Sequence, residues 1–111
     1  MSKMREPDLP FDQNKNYQKF MEVLKTVEKE KVALTSKGFV IKMPNDIIIS
    51  AIHGPGAYCT EDTVEMAIID KKTEEYIAGY YDPKAKLSEV LKNQTPSDLE
   101  NVIKWVYEIY G

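Results

Sequence analysis

A chain of 111 residues with 42% apolar and 30% charged side chains has the makings of one globular domain and excludes wholesale disorder. Its net charge of −3 comes from interleaved acidic and basic residues, with no basic stripe to displace counterions from nucleic acid. Cys59 is the only cysteine, which excludes an intrachain disulfide, and the longest apolar run, residues 47–52 broken by Ser50, is too short to span a bilayer. Residues 1–10 also lack the apolar core of a signal peptide, so the expectation is a cytoplasmic protein with no nucleic-acid or membrane partner.

In chain order, residues 1–14 read as a flexible arm, being polar and carrying Pro7 and Pro10, and residues 15–111 read as a single α+β domain. Tyr17, Phe20, Met21, Leu24 and Val27 recur at spacings of three and four, which predicts an amphipathic helix over 16–31. The period then changes to two. Gly38 opens a strand over 39–43, Pro44-Asn45-Asp46 is a turn, and residues 47–52 form the next strand of a hairpin. The consecutive Ile47, Ile48 and Ile49 are what a central strand covered on both faces would carry.

Gly54-Pro55-Gly56 ends that strand. Val64, Met66 and Ile68 alternate with Glu65 and Ala67 as a third strand, and residues 71–74 turn the chain. A fourth strand is expected over 76–80, where Gly79 signals a bulge or a close backbone approach. Leu87, Val90 and Leu91 suggest a short helix ending near Asn93. Ser97 and Glu100 have the spacing of a capping box, and Leu99, Val102, Ile103, Val106 and Ile109 give the last helix its apolar stripe, with Trp105 off it. The fold expected is α+β: a four-stranded antiparallel meander flanked by an N-terminal helix and a C-terminal helix, with the helices on one face.

The chemistry-bearing residues concentrate in one loop. His53, Gly54, Pro55, Gly56, Ala57, Tyr58, Cys59 and Thr60 hold the only histidine, the only cysteine and two of five glycines. Glycines allow close approach of backbone to a ligand, although Gly and Pro are also the commonest punctuation of a plain rigid turn. A Cys59 thiolate activated by His53, oriented by Glu61 or Asp62, is the minor catalytic reading, since no oxyanion donor set is apparent. One His and one Cys do not make a zinc site, and the loop lacks the spacing and following helix of a phosphate cradle, so no metal and no cofactor are expected. Weak anion binding by the Gly56, Ala57 and Tyr58 amides remains open. Seven tyrosines, with Tyr76, Tyr80 and Tyr81 near the fourth strand and Tyr107 and Tyr110 around Trp105, suggest a contact surface.

The segments Gly54-Pro55-Gly56-Ala57-Tyr58-Cys59, Met66-Ala67-Ile68-Ile69-Asp70 and Ile77-Ala78-Gly79-Tyr80 resemble a group of small phage-encoded proteins with a Gly-Pro-Gly-x-Tyr-Cys loop. The resemblance covers about a third of the chain and departs from the group at Lys71-Lys72-Thr73-Glu74, where an Asp-x-Gly turn is usual. It implies a phage or prophage origin rather than a mechanism; by analogy of genomic setting with other small phage proteins, the expectation is a non-enzymatic protein of the host cytoplasm that acts against host defences. The leading expectation is a small, nucleotide-derived ligand held by His53, Gly54, Gly56, Ala57, Tyr58, Cys59, Thr60 and Tyr80. The alternative is an inhibitor or adaptor that binds a host protein through an acidic, aromatic surface. Unpaired sheet edges would be covered within one chain or by a homodimer.

Overall fold

In the computed structural model, which describes residues 11–86 and 89–111, the alternating segments assemble as an antiparallel sheet. The strands are β1 (Val32–Leu34), β2 (Gly38–Met43), β3 (Ile47–Ile52), β4 (Val64–Asp70), β5 (Glu75–Tyr76) and β6 (Leu91–Gln94). The order is β1-β2-β3-β4-β5, and β6 also pairs with β4, so two short strands share one long edge. The helices are α1 (Tyr17–Leu24), α2 (Ala78–Tyr81) and α3 (Pro96–Tyr110), joined by several 3-10 turns. The α+β class and the antiparallel sheet with an N-terminal and a C-terminal helix are as expected, with six strands in place of four.

Strand register decides which side chains share a face. Phe39, Ile41 and Met43 lie opposite Ala51, Ile49 and Ile47, and Ile49 and Ala51 lie opposite Ile68 and Met66. All these residues are buried, together with Phe20 and Leu24 of α1 and Leu99, Val102, Ile103 and Val106 of α3. The helices therefore close this one face, and Phe11, Phe20 and Phe39 form an aromatic cluster beneath them with ring centroids 5.4–6.3 Å apart. The other face carries Val40, Lys42, Ile48, Ser50, Ile52, Glu65, Ala67 and Ile69, none of which belongs to the buried cluster. The run of three isoleucines predicts a β3 covered on both faces; among the described residues only one face is sealed, and Ile48 on the other is half-buried.

Several expected boundaries move, each for a local reason. Helix α1 stops at Leu24 because the Thr26 hydroxyl bonds back to the Val23 carbonyl at 2.6 Å and the Val27 amide turns onto the Leu24 carbonyl. Val27 stays buried, but in a turn, and the chain beyond it is released to pair as β1. The fourth strand is cut to Glu75–Tyr76, since Ile77 and Ala78 are both buried and strand geometry would send them to opposite faces. Helix α2 follows, and a Cβ on Gly79 would meet Lys86 Cγ at 2.9 Å, the close approach that the glycine signalled.

Of the short helix expected from Leu87, residues 87–88 lie outside the described residues, and Leu91–Gln94 is a strand instead, paired to β4 at Val64↔Gln94 and Met66↔Leu91. The last helix begins two residues earlier than its predicted capping box. Thr95, not Ser97, is the N-cap: its hydroxyl accepts from the Asp98 amide at 3.2 Å, and Asp98 Oδ2 accepts from the Thr95 amide at 2.9 Å. Pro96 at the first helical position fits there because its missing N–H would have no partner in any case. Of the arm expected over 1–14, residues 1–10 lie outside the described residues, whereas Phe11, 2% exposed, and Asn14 belong to the packed domain.

Candidate functional site

The loop that follows β3 begins as an extension of the sheet, with the His53 amide donating to the Lys37 carbonyl at 2.6 Å. Gly54 and Gly56 then adopt φ of 127° and 89°, which only glycine reaches without strain, and the Ala57 amide closes the turn on the Gly54 carbonyl. A second turn, at Thr60–Thr63, is held by the Thr60 amide on Thr63 Oγ1 at 2.7 Å and by the Thr60 hydroxyl on Asp62 Oδ1 at 2.6 Å. The chain entering α1 straps this turn from outside. The Lys15 amide donates to the Glu61 carbonyl, Asn16 Nδ2 donates to the Asp62 carbonyl at 2.9 Å, and Lys15 pairs with Glu61 at 2.8 Å. That pairing holds the Lys15 ammonium above its usual pKa, chiefly through the hydrogen bond to Glu61.

His53 is 4% exposed, and its ring is fixed by Asn14. The Asn14 side-chain oxygen Oδ1 accepts from the Asn16 backbone amide at 2.8 Å, which sets the side-chain orientation. Its Nδ2 then donates to the Thr63 carbonyl at 2.9 Å and to His53 Nδ1 at 3.0 Å. The same Nδ1 also lies 3.2 Å from the Thr63 carbonyl, so Asn14, His53 and Thr63 form one buried cluster. Cys59 Sγ lies 3.8 Å from the same Nδ1 and accepts from the Gly54 amide at 3.5 Å. His53 is thereby held in place inside the fold by Asn14 and Thr63, with the Cys59 sulfur at the edge of the same cluster.

The amides expected to hold an anion are mostly engaged. The Ala57 amide is on the Gly54 carbonyl, and the Tyr58 amide donates to Glu65 Oε1 at 2.8 Å, so a carboxylate of the chain already occupies that direction. Tyr58 is 55% exposed, its carbonyl accepts from the Asn93 amide, and its ring lies 4.4 Å from Lys92 Nζ. Residues 53–57 and 59–61 line an open cleft of about 310 Å³ that excludes Tyr58. Tyr80 is not there either. It lines a separate cleft of about 210 Å³ with Glu75, Tyr76, Gly79, Ala85, Lys86 and Glu89. So His53, Gly54, Gly56, Ala57, Cys59 and Thr60 come together, Tyr58 stands beside them on the β6 edge, and Tyr80 belongs elsewhere.

Sequence reasoning missed Asn14, Thr63 and Glu65, whose roles depend on partners far along the chain or across a turn. It also missed the pairing of Tyr80 with Tyr76, Glu75 and Glu89. Tyr80 is 72% exposed and Tyr76 48%, which places two phenol rings and two carboxylates around one small cleft. Trp105 packs edge-on between Tyr81 and Tyr110, at 5.4 and 5.8 Å, so it is a second packing face of α3. Burial first, then neighbouring carboxylates, raises the pKa of both phenols: Asp98 and Asp82 for Tyr81, Asp70 for Tyr110. Among the described residues no group of three or more His, Cys, Asp or Glu side chains converges as a metal site, and no helix is long and apolar enough to cross a membrane. Comparison with protein families, curated proteins and solved structures finds no match to this chain.

Proposed function

We propose that the chain is a non-enzymatic binding protein, of the phage accessory kind that its loop resembles, which counteracts host defence by holding a host protein. The cleft between Tyr76 and Tyr80 is the contact that would take a basic side chain of that partner. The observation that carries this reading is the exposure of Tyr80 beside Tyr76, Glu75 and Glu89. Two ring faces attract a guanidinium or ammonium, the carboxylates supply charge-assisted acceptors, and Lys86 leaves the cleft net negative. Tyrosines suit this role because they present a large rigid area with few rotamers to order.

The test is titration of the protein with short Arg-rich and Glu-rich peptides, followed by fluorescence anisotropy. Binding of the Arg-rich set alone is expected, weakened about five- to tenfold by Tyr80→Ala. Equal binding of both sets, or indifference to Tyr80→Ala, would sink the reading.

A second reading, sequestration of a small nucleotide-derived ligand, draws on the open cleft of about 310 Å³ along the loop. The engaged Ala57 and Tyr58 amides favour an uncharged part of such a ligand at that position. Native mass spectrometry of protein taken directly from its expression host is the test. A noncovalent adduct lost on Gly56→Val would support this reading, and an adduct unmoved by that change would remove the loop from it.

A further inference from the structure

The face of the sheet turned away from the helices has a pattern of its own. Across β2, β3 and β4 its positions form three rows: Lys42, Ile48 and Ile69; Val40, Ser50 and Ala67; Gly38, Ile52 and Glu65, of which Lys42 and Ile52 are exposed, Gly38 is buried and the rest are half-buried. Seven of the nine are uncharged, and the two charges, of opposite sign, stand at diagonally opposite corners, roughly 16 Å apart from strand and residue spacings. Ser50 is at the centre. We propose that this face binds a second copy of the chain, sheet on sheet, about a two-fold axis that runs along the diagonal from Gly38 to Ile69.

The charges select that axis. An axis along the strands would set Lys42 over the partner's Ile69, and an axis across them would set Lys42 over Gly38. The other diagonal would set Lys42 on Lys42 and Glu65 on Glu65. Only the Gly38–Ile69 diagonal sets each Lys42 over a Glu65, twice by symmetry, because a two-fold interface meets itself. The same operation sets Ile48 over Ala67, large on small, and Val40 over Ile52. It brings the two Ser50 hydroxyls together on the axis, where each can donate or accept. Glu65 is already oriented by the Tyr58 amide on one oxygen, which leaves its other oxygen for the incoming lysine.

The diagonal lies about 35° from the strands by those same spacings, so the two sheets cross at about 70°, nearer the orthogonal than the aligned way in which sheets stack. A patch of three strands by three rows buries on the order of 500 Å² per partner, near the lower limit for a specific interface. The dimer is therefore expected to be weak and to come apart on dilution. This assignment is independent of the Tyr76–Tyr80 cleft, which lies on the β5 side, and either can fail alone.

Sedimentation of the full chain across concentrations, with charge-reversed variants, tests it. Wild type is expected to pass from monomer to dimer, and Lys42→Glu and Glu65→Lys are each expected to weaken association about tenfold or more. In an equimolar mixture of those two variants, one contact of the heterodimer pairs the two substituted positions with their charges exchanged. The other contact pairs the native Lys42 of one chain with the native Glu65 of the other, so a heterodimer returns. That rescue would not occur if either variant had merely failed to fold. A monomer at every concentration, which would leave the face to another protein, overturns the proposal. So does a dimer that both reversals leave intact, or one that mixing does not restore.

Discussion

On one side of β3, Ile47, Ile49 and Ala51 are sealed beneath α1 and α3; on the other, Ile48, Ser50 and Ile52 remain accessible. Within β3 the two sides are built from similar residues, so its neighbours make the choice: register sets Ile47, Ile49 and Ala51 among the apolar Phe39, Ile41, Met43, Met66 and Ile68, and the other side among Lys42 and Glu65. Phe20 of α1 and the ring of Phe11 meet at Phe39, and Phe39 is fixed by register on the Ile49 side, in the one buried cluster that also holds the apolar stripe of α3. The aliphatic residues on the far side then have nothing within the described chain to cover them, and their cost is exposure.

Substitutions on the two sides of one strand break or sharpen this comparison. Ile49→Ala should cost about 2–5 kcal/mol in denaturant unfolding, since it opens a cavity in a sealed core. Ile48→Ala, one residue away, should cost less than about 1 kcal/mol when measured on dilute protein. Equal losses would mean that both faces are closed. Next in size is Asn14→Ala, which strips the Thr63 carbonyl and His53 Nδ1 of a donor inside a buried network. A loss of about 1–3 kcal/mol is expected, with faster amide exchange in residues 53–63.

Thr95→Ala should cost about 1 kcal/mol, and Ser97→Ala less than about 0.5, because only the former removes the cap of α3. The smallest effect is at high pH. Tyr81 and Tyr110 bind their phenol protons more tightly in the folded chain, so their contribution is intact below the ordinary value of 10.0 and is lost as pH rises beyond it towards the raised values. Tyr81→Phe should flatten the fall in stability above that point in pH-dependent melting.

Much of the architecture could be read from the residues alone, because it rests on local period. The alternation of Val64, Met66 and Ile68, the turn at Pro44-Asn45-Asp46 and the stripe of α3 each specify an element without help from the rest of the chain. The pieces that escaped are those made by distant partners. Leu91–Gln94 is a strand only because β4 offers it an edge, and β1 is three residues long because β2 does the same. Asn14 sits in a polar, proline-flanked stretch, and its burial depends on His53 and Thr63, 39 and 49 residues away.

The loop residues from His53 to Thr60 were legible as a cluster because they are contiguous. Their hydrogen-bond partners were not, and those partners make His53 an anchor. Nor could the sequence separate Tyr80 from that loop, since the separation follows from α2 replacing the second half of a strand.

The most direct test of the two-faced sheet is methyl NMR of the isoleucines with a soluble paramagnetic agent, on dilute protein. Strong relaxation of Ile48, Ile52 and Ile69, with Ile41, Ile47, Ile49 and Ile68 spared, is the predicted result. Equal protection of both sets at high dilution would contradict it, because some part of the chain would then be covering the face described as open.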